Sequence, residues 1–487
     1  MATETSVLAG VEPAPFWGHF ETLTRIPRPS RQEEPVIEHV REWAAAHGFE
    51  FQQDAGRNVV VRVPATPGRE SAPTLTLQGH LDMVCERDPA SANDPAEGRI
   101  ELVRDGDWLK ADGTTLGADD GVAIAAMMAL VEDESLPHGP LELLMTVAEE
   151  VGLEGANALD AALVTGSILV NLDSEEDGRL TVGCAGSTDT WIRITSPREE
   201  AADRVSLAVT VSGGKGGHSG SGIALGHSNA VKVLGRALRE ANETVPFQLV
   251  SFAGGKSRNA IPRDAAAVCA VPAGREQDFR DAVAAANETI RDAYAKTDAG
   301  VSVSVDAADG AEPGWSEDAT ARLLDVVALV PTGPLAMSPD FPGLVETSSS
   351  VGVAGTAGGT LTLRCLSRSQ DDDALPVVRA QIEAAARLAG ATHESLGSYP
   401  AWRPDPDALL LATATRVHAG LFGAEPEVSA THGGLETALI GAKRPGLPML
   451  SFGPEIQGPH APCERLHIAS AGRFMQLLRA LLDELSR

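Results

Sequence analysis

LELLMTVAEEVGLEGA (141–156) and SILVNLDSEEDG (167–178) share one pattern, a largely apolar run that stops in acidic residues. Short apolar runs of this kind read as buried strands of an α/β sheet. Such folds place their sites at the C-terminal ends of the strands. Burying a carboxylate there is costly unless a cation compensates it. Glu149, Glu150 and Asp173 therefore point to a bound metal.

Further donors sit in equally distinctive surroundings: His80 in GHLDM (79–83), Asp119 in LGADDGVAIAAMMAL (116–130) and His460 in GPHAPCE (458–464). A single histidine of this kind is more often a structural residue; the combination is what carries weight. Neutral imidazole with carboxylate suits a pair of zinc-like divalent ions better than calcium, which takes oxygen alone, or a thiolate site. A two-metal site needs one bridging carboxylate and terminal ligands for each ion. Asp82, two residues after His80, falls on the same side of an extended strand, where it can orient the imidazole or stand as a neighbouring carboxylate. Glu149 can hardly share Glu150's position on the same ion, and an unligated carboxylate beside the attacking water is what a general base requires.

The formal charge of −29 argues against a nucleic-acid groove or an anionic membrane surface as partner. The five cysteines (Cys85, Cys184, Cys269, Cys365, Cys463) are scattered and lack CxxC spacing, which indicates a reducing compartment. MATETSVLAGVEPAPFW (1–17) fails the signal-peptide pattern, and the longest plainly apolar run, Val122 to Val131, is far short of a membrane span. A soluble, cytoplasmic protein is expected.

Residues 14–49 read as two helices around a turn at IPRPS (26–30), the second capped by Ser30 and ended by Gly48. A strand pair follows at 58–65 and 74–80, and Asp119 and Asp120 open an Ala-rich helix. Character changes near Val205, where strand, helix, two strands, helix and strand give a βαββαβ, ferredoxin-like order. A second, looser copy follows. After the Pro-rich PAWRPDPD (400–407) an α/β pattern returns with His432, Glu436 and His460. The expected division is a catalytic domain in two parts, 1–204 and 400–487, interrupted by an α+β domain over 205–399. The Gly-rich SGGKGGHSGSGIALGHSNA (212–230) matches neither GxxxxGK[ST] nor GxGxxG, so it is not a phosphate loop.

GHLDM, GADDG, AEEVGLEGA, LDSEE, GGHSG and GPHAP together resemble the dinuclear-zinc metallopeptidases that include carboxypeptidase G and aminoacylase. Within them, IPRPSRQEE and the late HGGLE resemble the bacterial aminoacyl-histidine (Xaa-His) dipeptidase branch, so the likeness covers essentially the whole chain. It implies an α/β zinc-peptidase domain interrupted by a lid that closes over substrate and mediates homodimer contacts. It also implies two zinc ions, with cobalt or manganese as alternatives: Asp119 bridges, His80 and Asp173 complete one ion, Glu150 and His460 the other. Asp82 would be the partner of His80, Glu149 the general base and His218 an oxyanion donor from the lid. Asn259 would be a polar contact to substrate and Arg368 a grip on its terminal carboxylate. Glu436 would contact the substrate amine or support His460. Two departures leave histidine preference open: Ser350 in VETSSSVG stands where the branch has Asn, and His432-Gly433-Gly434 where it has AGLE. The expected activity is hydrolysis of dipeptides. The competing readings are an N-acyl-amino-acid hydrolase on the same scaffold and a non-catalytic metal- or peptide-binding protein, which would have no use for Glu149.

Overall fold

Six consecutive residues from Leu75 to His80, and six from Leu141 to Thr146, are buried in the computed structural model, which describes residues 6–200, 202–310 and 312–487. Residues 1–5 of the segment tested against the signal-peptide pattern lie outside the described residues. Burial of every side chain along a strand is what a parallel sheet covered on both faces requires. The two strands pair in parallel, and Leu75–His80 pairs in parallel with Ile168–Asn171 on its other side. Met449–Ser451 continues the parallel run. Val59–Val63 and Glu50–Gln53 add antiparallel strands at one edge, and Arg179–Cys184 and Glu427–Thr431 complete the other. The expected mixed sheet of α/β class is present. The strands read as a pair near 58–65 and 74–80 are not neighbours, however, because Leu141–Thr146 lies between them. Local patterning marks a strand but not a partner some eighty residues away.

The helix Glu34–His47 ends as read, at Gly48 with φ 72°. Ser30 does not cap it; its hydroxyl donates instead to Asp82 Oδ2 at 2.7 Å. The Ala-rich helix Ala118–Val131 is buried from Ala118 to Leu130. It approaches the strand Leu75–His80 closely because residue 79 is glycine. A Cβ there would lie 2.4 Å from Asp120 Oδ2 and 2.5 Å from the Ala123 Cβ.

The chain forms two compact units. One comprises residues 1–183, 404–430 and 435–487, and the other residues 184–403 and 431–434. The second therefore begins at Cys184, not at 205, because the strand Gly186–Thr195 belongs to its sheet. That sheet runs in the order 302–307, 204–212, 265–272, 248–254, 345–357, 360–369, 186–195, 392–399, with 333–337 beside 345–357. The first four strands, with the helices Ala230–Thr244 and Glu276–Tyr294, make one βαββαβ copy. The second copy uses the helices Glu317–Leu329 and Ala374–Leu388, and its first strand is Gly186–Thr195, which precedes the entire first copy in sequence. The duplication is interleaved, which explains why the second copy looks incomplete from sequence. Leu234, Phe279, Leu323 and Ile382, one from each helix, join a single core against the sheet. Among the described residues no helix is long and apolar enough to cross a membrane.

Gly79→Ala should lower the melting temperature, with an overpacking cost of about 1–3 kcal/mol, and should also reduce bound metal, because the displaced Asp120 holds the backbone of His80. Calorimetry and metal analysis of the purified variant check both.

Candidate metal centre

His80 closes its strand with a buried imidazole whose Nδ1 lies 3.1 Å from the Asp82 backbone oxygen. A carbonyl only accepts, so in the neutral ring Nδ1 carries the hydrogen and Nε2 presents a lone pair. That lone pair faces Asp119 Oδ1 at 2.9 Å, with Asp173 Oδ1 at 3.8 Å. On the other side of the same carboxylate, Asp119 Oδ2 lies 3.0 Å from His460 Nε2, which is also 2.9 Å from Glu150 Oε2. Two imidazoles thus meet the two oxygens of one aspartate. His80, Asp119 and Glu150 form one group able to hold a metal ion, and His80, Asp120 and Asp173 another. His460 takes up its place from a left-handed turn, φ 64°, that side chains rarely adopt.

The electrostatics fit a cation. Hydrogen bonds to Asp119 and Glu150 push His460 up to about 11. Burial works against ionisation of Asp119, yet the His460 and His80 contacts hold it below the usual carboxylate range. Burial, reinforced by neighbouring carboxylates, pushes Glu149 and Asp173 well above it. Glu150 Oε1 is buried with no hydrogen-bond partner. Imidazole and carboxylate donors converging within hydrogen-bond distance, with an excess of buried acid, are what divalent ions would take up in place of the protons, so the residues present fit a dinuclear metal site.

Asp82 does more than was read from its spacing. Its Oδ1 is 3.4 Å from His80 Nδ1, and its two oxygens accept the backbone N–H groups of Glu149 at 3.0 Å and Glu150 at 3.2 Å. Asp82 thereby orients the imidazole through its backbone oxygen and, through its carboxylate, fixes the tip that carries both glutamates. Glu436 is fully buried, held by Gln78 Nε2 at 2.7 Å and by the Thr146 hydroxyl, and burial first of all pushes it up to about 7. The structure gives it no contact with His460 among the described residues.

Four contributors escaped the sequence reading. Ser30 bonds Asp82, as described. Asp120 holds the backbone of His80 as well as lying near its ring, for its Oδ2 accepts the His80 N–H at 3.0 Å. Arg28 is buried and donates to the backbone oxygens of Leu81, Asp82 and Gly117. Glu464 accepts the N–H groups of Leu116, Gly117, Ala118 and Asp119 at 2.7 to 3.3 Å, a carboxylate cradle under the segment that presents Asp119. The only trace of it in the sequence is an acid at the end of GPHAPCE.

The remaining candidates belong to the second unit. His218 pairs with Ala260 in a two-residue strand, and the next N–H, of Ser219, donates to the Asn259 oxygen at 2.7 Å. His218 and Asn259 are therefore neighbours, both exposed. Arg368 is buried on the strand Thr360–Ser369.

The family model described as Peptidase family M20/M25/M40 matches residues 76–484. The chain belongs to this peptidase family. A cytosol non-specific dipeptidase from Escherichia coli is 37% identical over 484 residues, 99% of each chain. A crystal structure of an aminoacylhistidine dipeptidase from Vibrio alginolyticus superposes with a TM-score of 0.88 at 35% identity, again over 99% of both chains. An aminopeptidase from Bacillus cereus shares the fold, with a TM-score of 0.59 at 17% identity over 98% of this chain and all of the other. The protein is thus a metal-dependent peptidase, and the α/β class read from the strands is that of the family.

Glu464→Ala leaves four buried N–H groups without their acceptor, each costing about 1–3 kcal/mol if unmet. The variant should lose metal affinity together with thermal stability, measured by competition with a chelator and by calorimetry. Full metal affinity at reduced stability would show that the cradle does not position Asp119.

Proposed function

We propose that this protein is a dipeptidase that depends on two divalent metal ions and hydrolyses the peptide bond of free dipeptides. The observation that carries this is Asp119, one carboxylate facing two imidazoles at 2.9 and 3.0 Å. His80 and Asp173 would serve one ion, Glu150 and His460 the other, with Asp119 shared. Imidazole and carboxylate donors favour zinc, with cobalt or manganese as alternatives.

When bound, such ions supply Lewis-acid polarisation of the scissile carbonyl and make water a better acid. The chain supplies the rest. Glu149 takes the proton of the attacking water on its carboxylate and returns it to the leaving amine. Asp82 keeps Glu149 in register with His80 through the backbone bonds described. His218 donates to the developing oxyanion, Asn259 contacts the substrate and Arg368 grips its terminal carboxylate. Glu436 contacts the substrate amine: Gln78 and Thr146 hold its Oε2, while its Oε1 is buried without a hydrogen-bond partner among the described residues.

Dipeptides are preferred over N-acyl amino acids as substrates because the two full-length relatives are both named for dipeptides. One is called non-specific and the other aminoacylhistidine-directed, so Xaa-His dipeptides belong in the test set without being its only members. A cytoplasmic location agrees with the first relative's name, and a homodimer formed through the ferredoxin-like unit is part of the same reading. The test is an assay against a panel of dipeptides and N-acyl amino acids, with metal added or chelated. Cleavage of N-acyl substrates alone would make the protein a deacylase, and no cleavage at all a binding protein.

Glu149→Gln should lower kcat by at least about 10²–10⁴ while both ions remain bound. Loss of metal from that variant would make Glu149 a ligand. His218→Ala should reduce kcat strongly at unchanged metal content, as expected for a contact made mainly in the transition state. A rise in KM alone would assign His218 to ground-state binding.

A further inference from the structure

One face of the second unit's sheet carries a polar row that is short of partners. Ser348 pairs directly with Arg368, Arg368 with Ser187, and Ser187 with Tyr399, across four adjacent strands. Directly paired residues share a face of a sheet, so these side chains project on the same side. Arg368 is only 6% exposed. Among the described residues its hydrogen bonding comes down to Nη1 against the Tyr399 hydroxyl at 3.4 Å, and its Nε is buried without a partner. A guanidinium has five donors and cannot shed its charge, so burying it with one long hydrogen bond is heavily penalised unless an anion completes it.

Two neighbours shape what that anion can be. His432 is buried, with Nε2 2.7 Å from the Ser348 hydroxyl. Burial, then the charge of Arg368, pushes it down to about 3, so the ring is neutral and adds no second cation to the row. The guanidinium of Arg368 then offers the row's charge to a carboxylate-sized anion. Tyr399 accepts from Arg368, which leaves its own proton to donate. Its hydroxyl occupies the space that a side chain at residue 434 would take, for a Cβ on Gly434 would lie 2.3 Å from it.

We propose that Tyr399 is a specificity-determining residue that, together with Arg368, binds the carboxylate of the substrate's C-terminal residue, and that Gly434 is there to make room for its hydroxyl. This rests on the dipeptidase reading. Arg368 forms the charged contact and Tyr399 the neutral donor beside it. Ser348, paired with Arg368 across the strands, keeps the His432 ring beside it.

The experiment compares glycyl-leucine with its C-terminal amide. On the metal-loaded enzyme, Tyr399→Phe should raise KM for the free dipeptide about tenfold, the loss of one hydrogen bond to a charged group, with kcat nearly unchanged. KM for the amide should stay as it was. Gly434→Ala, which displaces the hydroxyl without removing it, should give the same pattern more weakly. Calorimetric binding of both compounds to metal-loaded Glu149→Gln protein, with and without Tyr399→Phe, reads the pocket without turnover. If the wild type cleaves no dipeptide, the dipeptidase reading fails, while the binding comparison still decides the pocket. Equal losses for acid and amide would make Tyr399 structural, and no preference of the Glu149→Gln protein for the free acid would remove the carboxylate pocket. Either result overturns the proposal.

Discussion

Too many carboxylates share one dry corner of the first unit, and the architecture around them is arranged to keep them there. Asp82, Asp119, Asp120 and Glu464 are buried near the ends of the central strands, with Arg28 as the buried guanidinium among them. Water cannot stabilise those charges, so each is held by backbone N–H groups, by imidazole or by a cation. Where N–H groups suffice, as at Glu464 and Asp82, the carboxylate is a structural clamp. Where they do not, as at Asp119 and Glu150, the carboxylates face imidazoles and belong to a group able to hold a metal ion.

The scaffold makes this tolerable by pairing rigid elements. The parallel strands deliver His80 and Asp173 from one edge of the layer, and the helix packed over Gly79 delivers Asp119 against them. Glu464 and Arg28 clamp the same short stretch, Leu116 to Asp119, through opposite polarity: one accepts its N–H groups, the other donates to its Gly117 oxygen. A carboxylate that must face two imidazoles at once has little positional freedom. Fixing its backbone from both sides is how that freedom is removed before any ion arrives.

Much of this was legible in the sequence, because burial of acid after an apolar run leaves a mark in any single segment. The fold places Asp119 and Asp173 beside His80, and His460 beside Asp119 and Glu150, all of them residues singled out in the sequence. What escaped was of two kinds. Ser30, Arg28 and Glu464 act on backbone atoms far away in sequence, and an ordinary Ser, Arg or Glu carries no sign of such a partner. The boundary at Cys184 and the separation of the strands near 59–63 and 75–80 depend on which strands pair, and pairing across long stretches of chain leaves no local pattern.

The interleaved duplication has a bearing on how the chain is made. Gly186–Thr195 emerges from the ribosome before the whole first copy, yet its sheet neighbours, Thr360–Ser369 and Thr392–Tyr399, are synthesised more than 160 residues later. During translation that strand has two unsatisfied edges and an apolar side, the condition in which nascent chains need shielding. His460 is the last of the candidate metal donors in chain order, so a chain that has not yet reached it lacks the full set. Late completion of that set ties hydrolytic competence to the segments of the first unit that follow the second unit in the chain.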